Sequence, residues 1–201
     1  MLVAKMLAAL FPAACLGCGT VGSALCVPCA ARTAVARTFV AGGLRVRAAG
    51  RYAGTLRRVV LAYKRGRRDA GDAAAELLIA AARPCAPGGA VLVPVPTVAA
   101  RRRARGFDQS ARLARACGAA LDVPVLLALR QTSRDAQRGR DRQARLRASG
   151  RFACTAPQLV AGTRIVLVDD VVTTGATLRD CAATLRACGA RVDHAFVVAY
   201  A

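Results

Sequence analysis

The stretch IVLVDDVVTTGATL, from Ile165 to Leu178, constrains the fold of this chain more than any other part of it, because an apolar run, two adjacent acids and a small-residue loop follow one another without a gap. Ile165 to Val168 is short, rich in β-branched residues and bounded by polar ones, which predicts a buried parallel strand. Asp169 and Asp170 then fall at its carboxyl end, where open α/β sheets bind ligands. After Val171 and Val172 come Thr173, Thr174, Gly175, Ala176 and Thr177, and the apolar pattern Leu178, Cys181, Ala182, Leu185 predicts a helix that starts from this loop. The free N–H groups and positive dipole end of such a helix suit a phosphate. The threonine hydroxyls add donors, and Gly175 lets the backbone approach closely.

This order of residues resembles the PRPP signature of type I phosphoribosyltransferases. The resemblance implies that Asp169 and Asp170 face the ribose 2′ and 3′ hydroxyls as the catalytic acids, directly or through Mg²⁺. It also implies that the loop from Val171 to Thr177 wraps the 5′-phosphate.

At 201 residues the chain can bury one core with a small appendage. Although 55% of the residues are apolar, no run approaches the roughly 18 needed to cross a bilayer. Leu2 to Leu10 reads as a short amphipathic helix packed on the body of the protein. The formal net charge is +20, from 31 basic and 11 acidic residues, and Lys5 and Lys64 are exceptions in a basic set otherwise made of arginine. Such a surplus attracts polyanions, and the planar arginine fork suits phosphate. Part of it can equally reflect a coding bias towards arginine and alanine. With aromatics at 4%, a stacking platform for single strands is not visible.

Nine cysteines fit a reducing compartment better than a secreted disulfide framework, so a cytoplasmic protein is expected. Cys15-x-x-Cys18 and Cys26-x-x-Cys29 place two pairs of thiolates on neighbouring turns, the pattern of a structural Zn²⁺ site. Gly17, Gly19 and Gly22 permit those turns. Cys85, Cys117, Cys154, Cys181 and Cys188 lack pair spacing and are expected in the core.

Between these landmarks the pattern predicts a strand over residues 44–52, helices over 56–63 and 69–82, a strand over 91–95, a helix over 110–120 and a last strand over 192–199. Pro94 and Pro96 fix an unusual backbone after the 91–95 strand and allow for a cis bond. Residues 130–152 are arginine-dense with little apolar periodicity, which suggests a mobile lid or binding segment.

The zinc cysteines, Tyr63-Lys64-Arg65-Gly66, the VPVPT string from Val93, the Arg105-Gly106-Phe107-Asp108-Gln109 box and the loop at Thr173 together resemble the ComF family of competence proteins. That family often has asparagine where this chain has Asp108. The resemblance implies a type I phosphoribosyltransferase-like α/β domain over residues 39–201, a mainly parallel sheet flanked by helices, preceded by a zinc module over 1–38. It implies a pyrophosphate loop at Val95, Pro96 and Thr97, with Lys64, Arg65, Arg105, Arg130 and Arg145 as contacts for pyrophosphate or DNA. Its expected partners are PRPP with Mg²⁺, single-stranded DNA, and an uptake ATPase, helicase or recombination mediator, and it allows for an oligomer. Two functions remain open at this level: a PRPP-binding accessory of DNA uptake, and a transferase acting on an unidentified nitrogen acceptor.

Overall fold

A computed structural model describes residues 13–97, 106–132, 148–149 and 151–201. The expected helix at Leu2–Leu10, Arg101 to Arg103, Arg105 and Arg145 lie outside the described residues.

A short helix α1 (Val27–Thr33) leads into an antiparallel hairpin of β1 (Arg37–Ala41) and β2 (Leu44–Arg51). Helices α2 (Gly54–Lys64) and α3 (Arg68–Ala82) follow, then β3 (Ala90–Pro94) and α4 (Gln109–Leu121). Three short strands come next: β4 (Leu129–Gln131), β5 (Ala148–Ser149) and β6 (Phe152–Cys154). The chain then forms a short helix α5 (Pro157–Val160), β7 (Arg164–Val172), α6 (Ala176–Arg186) and β8 (Arg191–Tyr200). The main sheet has the order β1-β2-β8-β7-β3, parallel throughout except at the β1 edge. β1 straddles the expected division at residues 38 and 39.

Side-chain alternation along β7 creates two cores. Val166 and Val168 face one side, where α2, α3 and α4 lie, and Ile165 and Leu167 face the other, under α6 and the small sheet β4-β6-β5. Opposite Ile165 and Val166, β8 carries an extra residue, and this bulge keeps Val192 and Ala195 on the same face although they are three apart. Helix α2 buries Leu56, Val59, Val60 and Tyr63, and α6 buries Leu178, Cys181, Ala182 and Leu185, each an i, i+3, i+4, i+7 stripe. Every fully buried leucine or valine in these stripes contributes about 1.5–3 kcal/mol.

The topology opens a crevice beside β7. After α4 the chain returns alongside β3, with an isolated parallel bridge between Leu92 and Val125, so this crossover moves outward from β7. The crossover through α6 moves the other way, to β8. Strand order therefore reverses between β3 and β7, which is where doubly wound sheets open a crevice for ligands.

Three expectations change. The 164–172 strand is longer than the four-residue apolar run, so Asp169 and Asp170 lie within it, because β8 continues to pair with Val171 and Val172. All described peptide bonds are trans, Pro94 and Pro96 included. Cys117 and Cys181 are buried, but Cys154 and Cys188 are half-buried and Cys85 is exposed, its thiol 3.4 Å from the Ala82 carbonyl at the end of α3.

Candidate phosphosugar site and cysteine knuckle

The acidic pair becomes accessible because β3 stops early. The Val95 amide makes the last bond to β7, on the Val168 carbonyl at 2.9 Å, and Pro96 has no N–H with which to continue. Asp169 and Asp170 thus keep a strand neighbour on the β8 side and face a cavity on the other. That cavity, of about 570 Å³, is lined by Lys64, Val95, Pro96, Thr97, Ser110, Asp169, Asp170, Val171, Thr173 and Thr177, with Gln131, Arg151 and Phe152 at the small sheet. An adjoining crevice of about 40 Å³ is lined by Asp169 and residues 171–178, so Thr174, Gly175 and Ala176 join the site there. Val172 is mostly a core residue, only 3% exposed.

Each acid has a different partner. Asp169 accepts hydrogen bonds from the Ser110 hydroxyl at 2.9 Å and the Asp170 amide at 2.8 Å. Burial, then the neighbouring Asp170 charge, pushes the Asp169 carboxyl up to about 7 against the opposing effect of these donors. Asp170 pairs with Lys64 Nζ at 2.9 Å. The lysine is delivered by the last turn of α2, which is anchored one residue earlier: the buried Tyr63 hydroxyl donates to the Gln109 carbonyl at 2.8 Å, and its ring lies 5.6 Å from that of Phe107. Burial raises the Tyr63 phenol, which stays a neutral donor.

Asp108 connects the other two parts of the site. As N-cap of α4 it accepts from the Ala111 amide at 3.1 Å, and it also accepts from the Thr97 amide at 3.2 Å and hydroxyl at 3.3 Å. The loop after β3 is thereby tied to the helix that delivers Ser110. Gly175, at φ 74°, opens the first turn of α6 and has no side chain to cap it; the Thr174 hydroxyl accepts from the Ala176 amide at 3.4 Å, and the next N–H groups of the turn are left for an anion.

Two expected contacts lie elsewhere. Arg65 faces a separate groove with Leu16, Arg58, Leu61, Ala62 and Arg67, because α2 turns its far side there. Arg130, on β4, lines a neighbouring cavity with Arg115 and Leu127. The ends of the 130–152 segment are strands rather than loop, and they bring Gln131, Arg151 and Phe152 to the pocket, with Arg151 held by Asp180 at 2.9 Å. Ser110 carried no sequence signal beyond its place one residue after the Gly-Phe-Asp-Gln box; only the packing of α4 on β7 brings it to Asp169.

Before the hairpin, Cys15, Cys18, Cys26 and Cys29 place all four sulfurs within 4.8 Å of one another. The Cys15–Cys26 and Cys18–Cys26 sulfurs are 3.6 Å apart, against roughly 3.8 Å expected for tetrahedral zinc with ~2.3 Å bonds. Backbone donors, chiefly from Cys26 and Cys18, lower the Cys15 thiol to about 6, while its neighbours, Cys26 foremost, and burial push Cys29 up to about 12. Four thiolates so close need a cation, and the cluster can hold a metal ion such as zinc. Gly17 is required here by close approach, since a Cβ would sit 2.5 Å from Cys29 Sγ. Gly19 and Gly22 take positive φ in the knuckle turns.

A family model for the phosphoribosyl transferase domain matches residues 106–201, which run from the start of α4 through β7, the threonine loop and β8. The matched part carries the acidic pair and the threonine loop, and the mainly parallel sheet flanked by helices agrees with such a domain. Among solved structures the chain is similar to one described as the structure of the allosteric regulatory enzyme of purine biosynthesis, with 22% identity over 64% of this chain and a TM-score of 0.47. The chain spans 26% of that enzyme's length. No curated protein matches the sequence significantly. Among the described residues, no helix is long and apolar enough to cross a membrane.

Proposed function

We propose that this protein binds PRPP in the crevice between β3 and β7, in the manner of a ComF-type protein that assists the handling of single-stranded DNA. One observation carries the PRPP reading: the acidic pair, the 173–177 loop and the loop at Val95 to Thr97 converge on one cavity although they come from distant parts of the sequence. In this reading residues 173–177 hold the 5′-phosphate, Asp169 and Asp170 accept hydrogen bonds from the ribose hydroxyls, and Val95, Pro96 and Thr97 flank the pyrophosphate. The two carboxylates offer the hard oxygen donors that suit Mg²⁺, which would neutralise pyrophosphate. Lys64 would leave Asp170 and turn to the same charge.

The knuckle would hold structural zinc through its four cysteines, making residues 1–38 and 39–201 separate functional units. The DNA part of the reading is supported by the net charge of +20 and by the groove framed by Arg58, Arg65 and Arg67. Counterion release makes such a surface useful on a strand.

A second reading is favoured by the intact acidic pair, which strand binding does not require. A nitrogen nucleophile would attack C1 of PRPP, the C1–O bond to pyrophosphate would break as the C1–N bond formed, and the nitrogen would shed a proton. The charge growing on pyrophosphate would be met by Lys64.

Calorimetric titration with PRPP and Mg²⁺ tests both. Binding that weakens at least ~10-fold in Asp169→Asn, Asp170→Asn is expected, from the loss of charged hydrogen bonds. A folded wild type that binds no PRPP would end the reading. Affinity for single-stranded DNA should fall steeply with salt, and a flat response would remove the DNA role.

A further inference from the structure

The hairpin that joins β1 to β2 lies far from the threonine loop in sequence, yet its turn is seated directly on it. The two-residue turn Gly42-Gly43 has φ 61° and 74°, the positive pair of a tight hairpin. A Cβ on Gly42 would lie 2.3 Å from the Gly175 carbonyl oxygen and 3.0 Å from the Arg179 amide. Those two groups form the first hydrogen bond of α6, at 2.9 Å. The contact is mutual, since a Cβ on Gly175 would lie 2.5 Å from the Gly42 amide nitrogen. Gly43, by contrast, has nothing within 4 Å of its Cβ position.

We infer that the β1–β2 hairpin is a structural part of the phosphate site, with Gly42 the positioning residue that sets how the 173–177 loop presents its N–H groups to a sugar phosphate. The inference rests on the PRPP reading above. Its physical basis is that an anion held by backbone amides at a helix start depends on their common direction. The Gly42 backbone is packed against the bond that fixes that direction. An edge hairpin far in sequence from the acidic pair and the threonine loop thus becomes a determinant of ligand affinity through its contact with Gly175.

The two turn glycines supply their own control. Asparagine tolerates positive φ, so Gly42→Asn and Gly43→Asn both keep the turn while only the first places a Cβ against Gly175. Binding of ribose 5-phosphate, a probe that carries the 5′-phosphate without the pyrophosphate, is measured by calorimetry on zinc-loaded full-length protein, alongside binding of inorganic pyrophosphate. The expected result is a loss of at least ~10-fold in ribose 5-phosphate affinity for Gly42→Asn, with pyrophosphate affinity unchanged and Gly43→Asn like wild type. Equal ribose 5-phosphate affinities in the two variants, with wild type binding, would overturn the inference while leaving the PRPP reading intact. Wild type that binds no ribose 5-phosphate would overturn both.

If Gly42→Asn fails to fold, hydrogen exchange in Gly42→Ser, a smaller Cβ-bearing variant, supplies the measurement. Faster exchange of the amides at 175–179 than in Gly43→Ser is expected, and equal rates would overturn the inference.

Discussion

Asp169 and Asp170 are adjacent in sequence but differ in chemistry, because one faces Ser110 and the Asp170 amide while the other faces Lys64. Burial lifts the Asp169 carboxyl to about 7 from an ordinary value near 4. In the unfolded chain it loses its proton at lower pH, so between about pH 4 and 7 the folded state holds more protons, and stability falls as pH rises through that window. Asp169→Asn should flatten this part of the stability profile, as read by urea denaturation across pH; an unchanged slope would show that the carboxyl is ionised throughout. Ligand affinity should run the opposite way. In the proposed PRPP reading an ionised Asp169 accepts from ribose hydroxyls, so ribose 5-phosphate binding should strengthen from pH 6 to 8. The phosphate's own ionisation near pH 6 is shared by wild type and Asp169→Asn, so their difference isolates the carboxyl. The residue types of the site were readable from their order in IVLVDDVVTTGATL, whereas Ser110 and Gly42 were not, since each acts through a neighbour more than 50 positions away.

Among elements, the position of α4 matters most, because its N-terminus fixes both Ser110 and the loop after β3. Asp108 is the joint. Replacing it with alanine removes the cap and both Thr97 bonds, and should cost about 1–2 kcal/mol of stability. Asparagine keeps one oxygen for the Ala111 amide and the Thr97 hydroxyl but sets its NH2 against the Thr97 amide, so Asp108→Asn should lose about 0.5–1 kcal/mol, less than alanine. Chemical denaturation of the two variants measures this, and equal losses would mean that the cap contributes through charge alone. The stripes on α2 and α6 and the apolar run of β7 were legible because period decides buried face. The small sheet β4-β6-β5 was not. Its strands are two or three residues long, too short for alternation to register, and they are defined by pairing with one another across a long stretch of chain.

For the whole molecule, the cysteine knuckle meets helix α2 where the Arg58 guanidinium donates to the Gly17 carbonyl at 3.2 Å and Gly17 packs on Thr55. Chelation should lower the melting temperature and speed hydrogen exchange over residues 13–33, while phosphosugar binding persists. Loss of both together would mean that the metal stabilises the sheet as well. The fold class, the four-cysteine cluster and the acid-and-threonine order of β7 and its loop follow from local order alone, because strand period, helix period, cysteine spacing and loop chemistry all act within about twenty residues. Which arginines share the pocket, why the acids lie inside a strand, and what the threonine loop packs against were settled by tertiary packing. Arg65 turns away on the far side of α2, Pro96 ends the β3 ladder opposite a strand that continues, and the Gly42 backbone meets Gly175 across the sheet edge. Such contacts depend on how close two backbones can come after the sheet has assembled, and no window of sequence contains both partners.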